Sequence, residues 1–184
     1  MAPKVITWDI EIMIGPDEHP DGWEGARRGE CGVSCVSLYD TSTGRFHVYD
    51  EHDLEDCAAH LNSADLLVGF NTIEFDTPAF QGTVGIDILA DQYDILHEIW
   101  KALPKREKGY RLGDLCERLK LGAKNGEGER ATALYRDGRF GRLFDYCIND
   151  VALTRALGRF INENGYVLTP SDDMLELPRP GIEV

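Results

Sequence analysis

The sequence has few basic residues, no evident set of paired cysteines and no long apolar run. Lys and Arg number 19 against 33 Asp and Glu, which gives a formal net charge of −14 over 184 residues. Extended non-specific binding to a phosphate backbone requires many cationic side chains, so this composition argues against it. If nucleic acid is the substrate, metal ions and a local basic patch must offset the negative field of the protein.

No apolar stretch is long enough to span a membrane, and no such stretch follows the opening Met-Ala-Pro-Lys. We therefore expect no membrane association and no signal peptide. The five cysteines are odd in number and widely spread, which argues against a disulfide framework and indicates a reducing, cytoplasmic setting. Cys31 and Cys35 have no matching Cys or His pair elsewhere, so we interpret them as small apolar strand residues rather than zinc ligands.

Strand and helix patterns alternate along the chain. They predict an α/β fold with a mixed β-sheet of five or six strands flanked by α-helices, in which the first three strands are antiparallel. The strands are expected at residues 5–13, 31–39, 45–49 and 66–70, the last of these parallel to the first. Residues 86–89 are ambiguous, and residues 166–169 fit a final edge strand.

Helical spacing of apolar residues predicts the remaining elements. Helices are expected at residues 53–63, 76–81, 93–103, 111–121, 129–137 and 139–164. Gly, Pro and charged residues predict loops at residues 15–29 and 124–128. We expect one domain over residues 1–169, followed by a loosely held tail over residues 170–184 that is rich in Pro and acidic residues.

The first strand carries an informative pair of side chains. Side chains alternate between the two faces of a strand, so Asp9 and Glu11 point to the same side in the middle of an apolar segment. Charge is costly there unless it is compensated, and a divalent cation such as Mg²⁺ takes oxygen ligands. The alternative is an edge strand whose acidic face is solvated.

Two further segments carry chemistry of the same kind. Asn71, Phe75 and Asp76 directly follow the fourth predicted strand, and ligands of open α/β sheets bind at such strand ends. Tyr146 and Asp150 are four residues apart on the longest predicted helix and share one of its faces. Four carboxylates at one place would raise one another's pKa, and two divalent metal ions would remove that repulsion.

At these residues the sequence resembles the DEDD, or DnaQ-like, 3′→5′ exonucleases of the ribonuclease-H-like fold. The Asp-x-Glu motif of that family is matched by Asp9 and Glu11. The Asn-x-x-x-Phe-Asp motif, found in the proofreading domains of B-family DNA polymerases, is matched by Asn71, Phe75 and Asp76. The resemblance implies a ribonuclease-H-like sheet and nuclease activity.

The third motif of the family, Tyr-x-x-x-Asp, is matched by Tyr146 and Asp150. In the His subclass a histidine lies five positions before the last Asp. Position 145 here is Asp, so the chain resembles the Tyr subclass. The resemblance runs from about residue 4 to residue 165, and three motifs in order are far more specific than any one of them.

The resemblance also implies roles, and with them two divalent cations, Mg²⁺ or Mn²⁺. Asp9 would bridge both ions, while Glu11 and Asp150 would complete the first metal site. Asp76 would hold the second ion, and Tyr146 would position the attacking water.

Three further residues are expected to contact substrate. The resemblance implies that Asn71 and Phe75 support the terminal nucleotides. Ile12 stands where the family often has Thr, and we expect this departure to alter contacts to the terminal base rather than metal binding.

Each of these residues also has a structural alternative. Asp76 has the composition of a helix-start residue, and Tyr146 suits a core position with its hydroxyl at the surface. Asp94 we interpret as a helix cap rather than a metal ligand. The five histidines lie outside the motifs and are expected to be surface or packing residues.

Two basic segments remain open between two interpretations. Trp23, Arg27 and Arg28 combine aromatic and cationic side chains, which suits single-stranded nucleic acid but equally a solvated loop. The densest basic cluster either meets phosphates or is a solvated connection between helices. It consists of Lys105, Arg106, Lys108 and Arg111.

We therefore expect a metal-dependent 3′→5′ exonuclease that releases nucleoside 5′-monophosphates from 3′ ends of single-stranded DNA, with RNA still open. Because the chain carries no polymerase domain, a helicase or polymerase partner would act in trans. One alternative is a structure-selective endonuclease on the same fold. The other is a non-catalytic nucleic-acid-binding or adaptor module, against which the four intact carboxylates argue. The oligomeric state is not predicted.

Overall fold

The structure, a computed structural model, describes residues 3–123 and 131–181. The central sheet has five strands, with β1 in the middle. They are β1 (Val5–Ile12), β2 (Val33–Asp40), β3 (Arg45–Asp50), β4 (Leu66–Gly69) and β5 (Gln92–Asp94). The strand order is β3-β2-β1-β4-β5: the first three strands pair antiparallel, and β4 and β5 run parallel to β1. This arrangement confirms the predicted α/β class and the antiparallel start.

Helices cover both faces of this sheet. They are α1 (Gly22–Arg27), α2 (Leu54–Leu61), α3 (Asp76–Val84), α4 (Ile95–Ala102), α5 (Leu112–Arg118), α6 (Ala131–Arg136) and α7 (Phe140–Asn164). The long helix α7 ends at Gly165, whose φ of 78° closes it in the left-handed conformation that glycine adopts without strain. No helix among residues 3–123 and 131–181 is long and apolar enough to cross a bilayer.

Alternation along β1 separates two cores. Ile6, Trp8, Ile10 and Ile12 are buried together with residues of α2 and α3, and the Trp8 ring lies edge-on to Phe80 at a centroid distance of 6.1 Å. On the other face β1 packs against the long helix α7, with Val5 in a core shared with α4 and α5. The odd-numbered side chains of β1 therefore face α7.

Two elements differ from the sequence prediction. The expected loop at residues 15–29 contains α1, which is held against α3 where Gly29 and Gly82 approach closely: a Cβ on Gly82 would lie 2.2 Å from the Arg28 carbonyl oxygen. The expected helix at residues 93–103 begins only at Ile95, because the preceding residues form β5.

The other ambiguous segments are also resolved where the structure describes them. Residues 86–89 form no strand. The expected loop at residues 124–128 and the first two residues of the helix expected at 129–137 lie outside the described residues.

The C-terminal segment contacts the rest of the protein through a short hairpin and a few residues that follow it. Strand β6 (Tyr166–Leu168) does not join the central sheet but pairs with β7 (Met174–Glu176) in a separate hairpin. Leu177 is buried and its backbone N donates to the Gly165 carbonyl, while the Tyr93 hydroxyl donates to the Pro178 carbonyl at 2.6 Å. We expected a loosely held tail from residue 170; Leu177 and Pro178 make these contacts, while most side chains between residues 170 and 181 are exposed.

Candidate metal centre

Strand β1 places two carboxylates on the face that α7 covers. Asp9 and Glu11 are both partly buried, and one oxygen of each lies within 4.8 Å of the other and of the Cys147 sulfur. These three side chains form a group that can hold a metal ion. Ile12, which we expected to contact the terminal base, points to the opposite face and is buried in the core, so the structure does not bring it to the carboxylates.

A third carboxylate reaches β1 from its open edge. The parallel ladder between β1 and β4 ends at Thr7 and Val68, so beyond Thr7 the β1 backbone has no strand partner on that side. Asp76 occupies this gap: its Oδ1 accepts a hydrogen bond from the Ile10 backbone N at 3.2 Å. The side chain is therefore directed at the middle of β1, which a residue that only starts a helix would not require.

Burial dominates the electrostatics of Asp76, and neighbouring acids add to its effect. Its side chain is 4% exposed, and burial, followed by the charges of Asp94 and Asp150, raises its pKa to about 7. The hydrogen bond from Ile10 acts in the opposite direction but is too weak to restore an ordinary value. A cation bound here would stabilise the ionised form.

Helix α7 supplies the remaining predicted residues. Asp150 is 5% exposed and close enough to Asp76 for its charge to affect the pKa of that residue. Tyr146 lies one turn earlier on the same helix and is partly buried. Asp76 thus contacts the β1 residue between Asp9 and Glu11, and Asp150 lies close to Asp76, beside the ends of strands β4 and β5.

Cys147 also belongs to this group, although none of the three sequence motifs includes it. Its sulfur lies 3.5 Å from the Asp9 carbonyl oxygen and 3.8 Å from Asp9 Oδ2. Burial raises the thiol pKa well above its usual value, and Cys35, Asp9 and Glu11 raise it further, so the group is a neutral thiol that donates to Asp9. Its position three residues before Asp150 on one helix is the signal that could have revealed it.

Asp94 fixes the loop that carries the second motif. As predicted, it caps a helix, because its side chain accepts hydrogen bonds from the backbone N of Leu96 and His97. The same carboxylate accepts from Asn71 N at 2.8 Å and from Ile73 N at 2.9 Å. Asn71 has a φ of 70°, a left-handed conformation that Asn tolerates better than most residues. Asp94 thereby holds the turn in place.

Phe75, the aromatic residue of the second motif, packs against a second aromatic residue, Trp23 of α1. Phe75 lies edge-on to Trp23 with a centroid distance of 5.4 Å, and Trp23 is 59% exposed. The two rings form an apolar, solvent-facing surface next to Asp76.

Two arginines converge on Glu74, the residue that precedes Phe75 in the second motif. Arg27 Nε donates to the Glu74 carbonyl at 3.0 Å, and the Arg106 guanidinium pairs with the Glu74 carboxylate, where one contact measures 2.9 Å. The hydrogen bonds from Arg106 lower the pKa of Glu74. Arg28 instead pairs with Asp21 and Glu30. The other members of the basic cluster, Lys105, Lys108 and Arg111, are exposed.

Comparison with known proteins supports the fold. No protein-family model and no curated protein matches the chain. Among solved structures the chain is similar to the family B DNA polymerase of the hyperthermophilic archaeon Pyrobaculum calidifontis, with a TM-score of 0.67 and 15% identity. The match covers 88% of this chain and 25% of the polymerase chain, so the protein spans about a quarter of that length. At this identity the likeness shows the fold alone, a ribonuclease-H-like mixed α/β sheet.

Proposed function

We propose that the protein is a metal-dependent 3′→5′ exonuclease that releases nucleoside 5′-monophosphates from single-stranded nucleic acid, with DNA as the preferred substrate. One observation supports the proposal above the others: Asp9 and Glu11 are close enough to share an ion, Asp76 bonds to the residue between them, and Asp150 is close enough to Asp76 for its charge to affect the pKa of Asp76. A structural role would not require four acids at one strand end.

The donor set fits two hard divalent cations, Mg²⁺ or Mn²⁺. Carboxylate oxygens are the ligands that these ions prefer, and a bound cation would stabilise the ionised form of Asp76, whose pKa is raised first by burial and then by neighbouring acids. Asp9 would contact both ions, Glu11 and Asp150 the first, and Asp76 the second. When bound, two such ions stabilise the attacking and leaving oxygens of phosphodiester hydrolysis.

The surface beside the carboxylates suits a single strand. Trp23 and Phe75 offer ring faces and edges for unstacked bases, a mode of binding that tolerates any sequence. Arg27 and Arg106 lie close by and are cations that phosphates can contact. This local patch answers the objection from the net charge, because only a few nucleotides need to be held. A helicase or polymerase acting in trans would supply the 3′ ends.

The remaining motif residues would position the reactants. Tyr146, one helical turn before Asp150, would orient the attacking water through its hydroxyl group. Asn71, whose backbone is fixed by Asp94, would support the terminal nucleotide with its side-chain amide.

Digestion of labelled oligonucleotides tests the proposal. We expect 5′-labelled single-stranded DNA to shorten from its 3′ end one nucleotide at a time with Mg²⁺ or Mn²⁺, and to stay intact in excess EDTA. RNA oligonucleotides of the same sequence and a 3′-labelled set determine substrate preference and direction. Single-stranded circles should survive, since they have no 3′ end.

Each competing function predicts a different result in the same experiment. Cleavage of circles, or early cuts within a 5′-labelled strand, would establish the structure-selective endonuclease. Tight binding of oligonucleotides with no hydrolysis under either metal would establish the binding or adaptor module.

A further inference from the structure

A second group of metal-ligand side chains lies on the opposite face of the sheet. Asp40, at the end of β2, pairs with Ile6 and therefore shares the face that packs against α2. His47 of β3 pairs with Leu38 and points to the same face. His60 comes from α2, and one ligand atom of each of the three residues lies within 4.8 Å of the others. We name Asp40, His47 and His60 the His–Asp cluster.

The spacing of the cluster matches a tetrahedral ion. His60 Nε2 lies 2.9 Å from Asp40 Oδ2. Two ligands at about 2.0–2.2 Å from a tetrahedral zinc ion are separated by roughly 3.3 Å, so small side-chain rotations suffice. The rings of His47 and His60 are nearly perpendicular at a centroid distance of 4.9 Å, which lets nitrogens of both rings face one point.

The surrounding residues orient the ligands as supporting groups of metal sites do. The Tyr49 hydroxyl lies 2.7 Å from His60 Nδ1, so Nε2, which lies 2.9 Å from Asp40 Oδ2, is the ring nitrogen that would face a metal ion. The backbone N and hydroxyl of Ser42 both donate to Asp40 Oδ1, which leaves Oδ2 directed at His60. The Thr43 hydroxyl lies 3.4 Å from His47 Nε2.

The contacts of Asp40 suit a ligand, because Ser42 bonds to its Oδ1 while the side chains of His60 and Lys4 both lie at its Oδ2. One cation already contacts the cluster: Lys4 Nζ lies 3.1 Å from Asp40 Oδ2.

We propose that Asp40, His47 and His60 form a second metal site, which takes Zn²⁺ and ties the β2–β3 hairpin to α2. Two imidazoles and one carboxylate suit zinc, whereas the carboxylates on the other face suit Mg²⁺ or Mn²⁺. The Lys4 ammonium competes with the metal for the same carboxylate oxygen. The site is separate from the proposed nuclease centre and does not depend on that assignment.

Zinc titration of the full chain tests the proposal. Equilibrium dialysis is performed on a protein carrying Asp9→Ala and Glu11→Gln, so that the carboxylate group on the other face cannot bind the ion. We expect one Zn²⁺ per chain, and four-coordinate visible absorption when Co²⁺ replaces it. His47→Gln and His60→Gln should each weaken zinc binding at least about tenfold, with circular dichroism confirming that the variants are folded.

The Lys4→Met variant distinguishes a metal site from a hydrogen-bond network that binds no metal. If the cluster binds metal, removing the competing ammonium should tighten zinc binding while lowering the melting temperature of the metal-free protein. If His60→Gln fails to fold, His47→Gln still tests the proposal, because His47 lies on the outer hairpin. Zinc binding that is absent in the starting protein, unchanged by His47→Gln, or not tightened by Lys4→Met overturns the proposal.

Discussion

Asp76 and Asp40 are both nearly inaccessible, 4% and 1% exposed, yet their surroundings act on them in opposite directions. Asp40 is contacted by Lys4, His60 and Ser42, and its pKa lies well below the usual range. The neighbours of Asp76 include further acids, and its pKa is raised to about 7. Burial alone does not decide the charge of a carboxyl group; the donors and charges around it do.

The two sites therefore differ in their balance of charge. The His–Asp cluster is close to electrically balanced, so a metal must displace Lys4 to enter. The carboxylate group around Asp76 is unbalanced, so a metal adds charge that the fold does not supply. Strongly perturbed carboxyl groups of this second kind are typical of functional sites.

The largest effect on the rate of hydrolysis is expected for a carboxylate that holds metal, compared with one that only lies near the site. Asp9→Ala should reduce hydrolysis to the level of the uncatalysed control, because Asp9 would contact both ions. Asp145→Asn is the matched control, since Asp145 is exposed on α7 just before Tyr146, and it should retain the wild-type rate. Initial rates on 5′-labelled single-stranded DNA with Mn²⁺ measure both. Activity of Asp9→Ala would contradict the mechanism.

The next effect concerns a hydroxyl group rather than a charge. Tyr146→Phe should slow hydrolysis by roughly 10- to 1,000-fold with little change in substrate affinity, because the ring remains and only the water is misplaced. Tyr166→Phe, on the separate hairpin, serves as the control. A wild-type rate for Tyr146→Phe, from single-turnover kinetics, would identify Tyr146 as a packing residue.

The comparison of Asp76 with Asp40 predicts that replacing each by Asn changes the free energy of unfolding of the metal-free protein in opposite directions. A carboxyl whose folded pKa is about 7, against about 3.9 unfolded, stabilises the fold less and less as the pH rises between these values. Asp76→Asn should therefore stabilise the protein at pH 7.5, by up to about 4 kcal/mol, and change little at acidic pH. Urea unfolding with EDTA at several pH values measures the difference.

Asp40→Asn should do the reverse. The depressed pKa of Asp40 contributes stability that is present above the unfolded pKa and lost as the pH falls below it. The variant should lose about 2 kcal/mol near neutral pH, the typical value of hydrogen bonds to a charged group. If both variants destabilise the protein at pH 7.5, the carboxylates around Asp76 do not repel one another.

The smallest effect is a change in the response to metal. Metal bound only by the folded state adds about 2.7 kcal/mol at a hundredfold excess over Kd, so Mn²⁺ should raise the melting temperature by roughly 5–10 °C. Asp150→Asn should melt no lower than wild type in EDTA and show a smaller rise with Mn²⁺. An equal rise in both proteins would exclude Asp150 from the metal site.

The parts of the fold that the sequence predicted are those with long, regular patterns. Alternation in β1 placed Asp9 and Glu11 on one face, and helical spacing gave α7 nearly to the residue. The parts it missed are short. Strand β5 has three residues and is defined by its pairing with β4, and α1 has six residues in a Gly-rich segment that its packing on α3 keeps helical.

For the site, the sequence predicted which residues matter but not how they are held. The motifs identified Asp76 without revealing that it would bond to the β1 backbone where β4 ends. Asp94 was expected to cap a helix, and its second role, holding Asn71, depends on a distance between separate elements. Contacts across 20 or more residues leave no periodic signal in a single sequence.

The contacts of the C-terminal segment have a consequence for biosynthesis. Tyr93 is covered by a residue 85 positions later in the chain, so β5 emerges from the ribosome long before its cover does. A chain that ends at residue 169 would leave Tyr93 and Val167 more accessible to chaperones and proteases, since Leu177 and Pro178 would be missing. The core around Tyr93 can therefore close only after residues 174–178 have left the ribosome.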